Sequence, residues 1–231
     1  MKFEHFWMNK WLPFYIIHSL FFNFRYLPFK QAIKLPILLY HPKFLKLKGR
    51  ISIVGTIRPA MIQLGLFRVP LYNNNGCLFQ IDGTIIFKGN AKIGNDSKII
   101  IGKNGTVVFG NNFNATSSLK LICYNKIGFG ENCLIGWDNM FMDYDFHKLK
   151  SLHGNTNRGF GTIEIGHDTW FGNGCRTYKN TSIPPNTVIA ANTIVTKYSS
   201  TKEYTLIGNN NSVFIKKEGI YHDFQDDKIE L

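Results

Sequence analysis

In the stretch Met142-Asp143-Tyr144-Asp145-Phe146-His147, two carboxylates and an imidazole alternate with larger side chains. Residues two apart in an extended backbone point the same way, so Asp143, Asp145 and His147 are expected on one side of the chain. One carboxylate could fix the tautomer of His147 and raise its basicity, leaving the other ring nitrogen to accept a proton. The chemistry would be general-base activation of a hydroxyl or an amine. An acid near a histidine is common on solvated surfaces, so the weight of this stretch comes from where it falls in the chain.

It falls at the one break in a repeat. Ile165, Phe171, Thr177, Ile183, Ile189 and Val195 recur every six residues, and Ile163, Thr169, Cys175, Thr181, Thr187 and Thr193 run two residues ahead of them. Neither a helix nor a flat strand has that period. Each unit supplies one small and one larger inward side chain and then turns at residues such as Gly166, Gly172, Pro184 and Ala190. Three units close a triangular coil, and stacked coils pair their backbones, so the expected fold is an all-β solenoid. The spacing begins after Leu78, where Ile81, Phe87, Ile93 and Ile99 hold it, loosens to eight at Gly94, Gly102 and Gly110, and ends at Lys197. Residues 51–77 read as transitional. Corners such as Gly94-Asn95, Gly110-Asn111 and Gly172-Asn173 are expected to need positive φ. From Ile135 and Phe141 the count of six runs on to His147, but the inward columns would then have to accept Asp145 with His147, Ser151 with His153, and Asn157 with Gly159. Burying that set is costly. The chain is therefore expected to leave the column near 143–147 and run as an exposed loop over 148–162, and loops on rigid scaffolds carry function.

Charge divides the chain. Residues 1–50 hold nine Lys or Arg against one acid, while 51–231 hold eighteen against fourteen. The first segment also carries Trp7, Trp11, Phe14, Tyr15, Phe21, Phe22, Phe24, Tyr26 and Phe29. Its longest uncharged run, Trp11 to Phe24, is fourteen residues, too short to span a bilayer as a helix. A signal peptide is disfavoured for want of a small-residue cleavage site. Two readings stand for this segment: a cap over the open end of the solenoid, or an interfacial segment in peripheral contact with anionic lipid. No binding motif surrounds the basic residues, so nucleic acid is not an expected partner. Cys77, Cys123, Cys133 and Cys175 form no C-x-x-C pair and read as reduced structural thiols of a cytoplasmic protein. The organisation expected is a basic aromatic segment over 1–50, a β-helix domain over 51–197 and a tail over 198–231.

Two stretches, Ile165-Gly166-His167-Asp168-Thr169-Trp170-Phe171-Gly172 and Ile183-Pro184-Pro185-Asn186-Thr187-Val188-Ile189-Ala190-Ala191-Asn192-Thr193-Ile194-Val195-Thr196-Lys197, carry a resemblance. Over about residues 78–197 the chain resembles the hexapeptide-repeat acyltransferases, particularly the maltose and galactoside acetyltransferase branch and the O-acetyltransferases of capsule and lipopolysaccharide gene clusters. The resemblance implies a left-handed parallel β-helix, assembled as a homotrimer with active sites between subunits. It also implies transfer of an acetyl group from acetyl-CoA to a hydroxyl of a saccharide or lipid-linked saccharide, at the inner face of the membrane if the N-terminal segment is interfacial. His147 stands where the family's general base would, and Asn114 is a candidate oxyanion donor. Asn173, Ala191, Thr196 and Lys197 fall where the family contacts CoA, with Trp170 beside the acceptor or thioester. Gly208-Asn209-Asn210-Asn211-Ser212 departs from the family's closing Gly-x-Pro-Ala, although Lys216 and Lys217 keep basic character after it. γ-Type carbonic anhydrases use this fold with three His ligands, but His147 and His153 flank a loop here and His167 sits at a corner, so no metal is expected. The alternatives are a non-catalytic β-helix scaffold at the membrane and an N-acetyltransferase of an amino or nucleotide sugar.

Overall fold

The computed structural model describes residues 12–147, 159–196, 202–210 and 213–218. They form a left-handed parallel β-helix with three sheets. Sheet A contains β1 (Ile37–Leu39), β4 (Ile62–Leu66), β7 (Ala91–Gly94), β10 (Phe113–Ala115), β13 (Leu134–Ile135), β16 (Trp170–Phe171), β19 (Thr187–Ile189), β21 (Thr205–Asn210) and β22 (Val213–Glu218). Sheet B contains β2 (Pro42–Leu47), β5 (Cys77–Ile81), β8 (Ser97–Ile101), β11 (Lys120–Cys123), β14 (Met140–Met142), β17 (Arg176–Tyr178) and β20 (Ile194–Val195). Sheet C contains β3 (Arg50–Ile53), β6 (Thr84–Phe87), β9 (Thr106–Phe109), β12 (Lys126–Phe129), β15 (Thr162–Ile165) and β18 (Thr181–Ile183). Up to β20, each strand pairs in parallel with the one three places on, so every coil crosses A, B and C in turn.

Where the spacing of six holds, one coil is eighteen residues: Ile163 registers with Thr181, Trp170 with Val188 and Arg176 with Ile194. All twelve residues of the two inward columns are buried, and fully burying an Ile or Val contributes about 1.5–3 kcal/mol before entropy is counted. The threonines fit because Thr169, Thr181 and Thr193 each turn their hydroxyl back to donate to a corner carbonyl, of Gly166, Tyr178 and Ala190, at 2.9, 2.7 and 2.6 Å. In the looser coils the bore is filled by phenylalanines, with Phe87, Phe109 and Phe129 stacked at 5.1 and 5.7 Å and Phe141 edge-on to Phe171 at 5.2 Å.

Three expectations are corrected. The coils begin at Ile37, ahead of both Leu78 and the boundary at residue 51, and β3 and β4 lie within the first two coils. Long corner segments at 54–61 and 67–76 separate the strands there and erase the spacing. The tail after 197 is not outside the sheets, because β21 adds in parallel to β19 and β22 folds back on it antiparallel. At the corners opened by Gly94, Gly110 and Gly172, positive φ falls not on those glycines or on the Asn after them but on the next residue, Asp96, Asn112 and Gly174, at +58°, +59° and +71°. Gly172 is small because the next coil crosses it: a Cβ there would lie 2.7 Å from the Ala191 nitrogen.

The N-terminal end is closed by helix α1 (Leu12–Tyr26), followed by the short α2 (Phe29–Ala32). β1 is an edge strand with open backbone groups, and α1 supplies side chains in place of a further coil. The Asn23 amide donates to the Ile37 carbonyl at 2.7 Å and accepts from the Ile37 N–H at 3.1 Å. Ser19 Oγ accepts from the Leu39 N–H at 2.9 Å. Phe22 enters the bore against Phe44 and Phe79 at 5.9 and 5.6 Å. The four cysteines are buried and unpaired, and burial pushes the thiols of Cys133 and Cys175 up to about 12 and about 11.

Candidate active site

The break in the repeat lies at the corner between sheets B and C. β14 ends at Met142 and β15 begins at Thr162, and the two arms of the excursion close on each other through an antiparallel bridge between Tyr144 and Phe160. The Asp145 N–H donates to the Gly159 carbonyl at 2.7 Å and the Gly161 N–H to the Asp143 carbonyl at 3.0 Å. Residues 148–158, most of the expected loop, lie outside the described residues, as do Lys197 and His153.

The three polar residues of this stretch do not share one face. Asp143 is wholly buried, with one carboxylate oxygen accepting from the Tyr124 N–H at 2.7 Å and the other from the Asn125 N–H at 2.8 Å and the Cys123 thiol at 3.2 Å. It ties the excursion to the coil beneath and is not bonded to His147. Asp145 is ion-paired to Lys179 of the following coil. Alternation fails at Phe146, whose φ of +63° turns the chain, and His147 comes out exposed while both acids are taken up by other partners. Next to it in the chain begins an aromatic cluster that the sequence reading did not single out. Tyr144 packs 5.3 Å from Tyr124, 5.2 Å from Phe146 and, nearly parallel, 6.4 Å from Phe160. Phe146 and Phe160 remain about half exposed. The signal was available in the alternation of aromatics with acids at Tyr144 and Phe146.

A second feature runs along the corner between sheets A and B. Gly136, Gly172 and Ala190 stack there in successive coils, as do Trp137, Asn173 and Ala191. Small side chains at one corner of three coils leave a groove of about 480 Å³ against the outer face of sheet A. Its walls are the indoles of Trp137 and Trp170, and its floor includes Leu134, Val188 and Leu206. The lining is almost entirely apolar, which suits an extended chain of methylenes and amides better than a sugar. Of the residues expected to hold CoA, Asn173, Ala191 and Trp170 line this groove. Thr196 does not: it follows β20 in sheet B and is exposed. Trp137 was missed, although it lies thirty-six residues before Asn173, a multiple of eighteen that keeps the column; in the structure the two are one coil apart, the excursion taking up the remaining residues.

Asn114 sits on β10, in register with Leu134 at the groove's N-terminal edge. Its carbonyl oxygen accepts from the guanidinium of Arg68, whose pKa is lowered by burial. That leaves the amide NH₂ as the group's donor. Within one chain, Asn114 and the groove are on sheet A and its corner with B, whereas His147 is on the corner between B and C. His167 at a sheet C corner bonds its neighbour, Nδ1 to Asp168 Oδ2 at 2.6 Å.

No protein-family model matches the chain, and no curated relative matches it. Among solved structures, the polySia-specific acetyltransferase NeuO is similar over 82% of this chain and 75% of its own, with a TM-score of 0.53 and 22% identity. The polysialic acid O-acetyltransferase OatWY aligns over 80% of this chain and 96% of its own, with a TM-score of 0.44 and 19% identity. At this identity the likeness to NeuO establishes a shared β-helix fold.

Proposed function

We propose that the protein is an O-acetyltransferase that moves an acetyl group from acetyl-CoA to a saccharide hydroxyl, with His147 as general base. The observation that carries this reading is the pairing of a long apolar groove at one corner with an exposed imidazole at the break of the repeat, in a fold shared with an acetyltransferase. The pantetheine arm of the donor would lie between Trp137 and Trp170 over Gly172 and Ala191, where the backbone can be approached closely. The aromatic cluster of Tyr124, Tyr144, Phe146 and Phe160 offers faces on which a sugar ring of the acceptor can stack. His147 takes the hydroxyl proton as that oxygen attacks the thioester carbon, and returns a proton to the leaving CoA sulfur, a contribution of about 10²–10⁴ in rate. A donor such as the Asn114 amide would stabilise the oxyanion, worth about 10²–10³ for a single well-placed group.

Groove and base lie on different corners of one chain, which supports a homotrimer in which the base of one subunit meets the groove of the next. Acetyl-CoA as donor is consistent with a cytoplasmic site. Co-refolding His147→Ala with Ala191→Trp, each inactive alone, tests both the base and the shared site. Random trimers regain about a quarter of the wild-type rate toward a saccharide acceptor, because about one interface in four pairs an intact base with an intact groove. No recovery in mixed trimers refutes the shared site. Full activity of His147→Ala alone refutes the base. Acetylation of an amine in preference to a hydroxyl, read from the product, moves the acceptor to an amino sugar.

A further inference from the structure

Helix α1 is inside out. A helix on a water-soluble domain buries its apolar side and exposes its polar one. At 100° per residue, Ser19, Phe22 and Asn23 fall on the side facing the solenoid, and the two polar residues are wholly buried as partners of β1. The opposite side presents Ile17, Leu20, Phe21 and Phe24 to solvent, with Ile17 70%, Phe21 52% and Phe24 47% exposed. Phe29, 69% exposed, continues this face and packs on Phe24 at 5.9 Å. Ile33 and Leu45 are exposed on the same end of the molecule. Contiguous exposed apolar surface of this kind marks an interaction site.

Charge selects the partner. Residues 5–81 contain ten Lys or Arg and no Asp or Glu. Lys30, Lys34, Lys43 and Lys48 are exposed on the same stretch of chain, and the first acid after it, Asp82, is paired with Lys46 at 2.7 Å. An apolar helix face set among cations with no acid between them fits the boundary of an anionic bilayer, where rings enter the acyl edge and ammonium groups meet phosphate. Among the described residues no helix is long and apolar enough to cross a membrane. The fifteen residues of α1 span about 22 Å, so it would lie in the plane of the interface.

We infer that the N-terminal end of the β-helix docks on an anionic lipid surface through the outer face of α1, Phe29 and the surrounding lysines. Buried Asn23 and Ser19 hold the helix to the coils, so docking would set the solenoid axis against the membrane with the lipid-facing side fixed by the fold. Sedimentation of the full chain with vesicles of phosphatidylglycerol and phosphatidylcholine in equal parts, compared with phosphatidylcholine alone, reads this directly. The wild type sediments with the anionic vesicles, and the fraction bound falls with salt. The triple variant Ile17→Ser/Phe21→Ser/Phe24→Ser alters only exposed side chains and lowers binding at least tenfold with the β-helix circular dichroism unchanged. Lys30→Glu/Lys34→Glu lowers it about fivefold per charge. Absence of wild-type binding at low salt overturns the inference, as does equal binding by the triple variant. If the wild type fails to bind and the triple variant instead loses oligomeric mass, the face is a contact between copies. Vesicle binding is independent of acyl transfer, so a protein inactive toward sugars still gives a result.

Discussion

The corner between sheets A and B and the corner between sheets B and C are made by the same chain in the same coils, yet they differ in what they present. At the first corner, three successive coils repeat without insertion, and Gly136, Gly172 and Ala190 fall in line. The result is a groove that follows the solenoid and has almost no polar lining. At the second corner, one coil is interrupted between β14 and β15, and the interruption is fastened by Asp143 and by the bridge of Tyr144 to Phe160. There the result is an exposed imidazole that follows directly on a cluster of aromatic rings. A regular corner suits an extended ligand because it offers the same contact at each coil, whereas an interrupted corner can place a single group where it would otherwise be turned into the bore.

The comparison breaks most severely if the two corners do not divide the work of donor binding and proton transfer. Changing His147 to Ala is expected to lower kcat by about 10²–10⁴ with little change in KM for acetyl-CoA, and with no loss of stability, since the side chain is exposed. Replacing Trp170 by Ala at the other corner should raise KM for acetyl-CoA about tenfold, the loss of roughly 1.4 kcal/mol of contact, and leave kcat nearly intact. Steady-state kinetics on the two variants reads both. A fall in kcat for Trp170→Ala as large as that for His147→Ala would mean that the groove belongs to the reacting centre.

A smaller effect distinguishes fastening from chemistry within the interrupted corner. Removing the buried carboxylate in Asp143→Ala orphans the N–H groups of Tyr124 and Asn125. The expected cost is about 2–4 kcal/mol, which in a chain of this size lowers Tm by roughly 5–15 °C. Thermal melting checks it. A variant that melts like the wild type but has lost activity a hundredfold would return Asp143 to the role of orienting His147.

These two corners were unequally legible. The inward columns could be read because Ile163 to Val195 keep one length of coil, and a buried position in a narrow bore admits few side-chain types. From the same regularity, Asn173 and Ala191 could be set at one corner and Trp137 should have been. The first coils at Ile37 to Ile53 were hidden because the segments between strands there vary in length, which removes the period but not the pairing. At the interrupted corner, parity was the wrong rule. Parity assumes an extended backbone, and the positive φ of Phe146 was not signalled by its residue type, since a large aromatic seldom adopts it. Nor could local sequence show that Asp143 would find two backbone donors in the coil below, a partnership between residues about twenty apart.

The smallest expected effect belongs to the pair of Asp145 and Lys179. Both side chains are partly exposed, and such a pair is usually worth under about 1 kcal/mol. If it serves only to hold the base of the excursion to the next coil, Asp145→Asn and Lys179→Met should behave alike, each lowering kcat a few-fold without moving the pH dependence of kcat/KM. If Asp145 turns to His147 during turnover, the two variants separate. Asp145→Asn would then shift the acidic limb, where the imidazole loses its proton, to lower pH and lower kcat far more than Lys179→Met, which leaves the carboxylate in place. The double variant completes the cycle: a shared anchoring role makes the second substitution nearly silent after the first, while separate roles make their effects multiply.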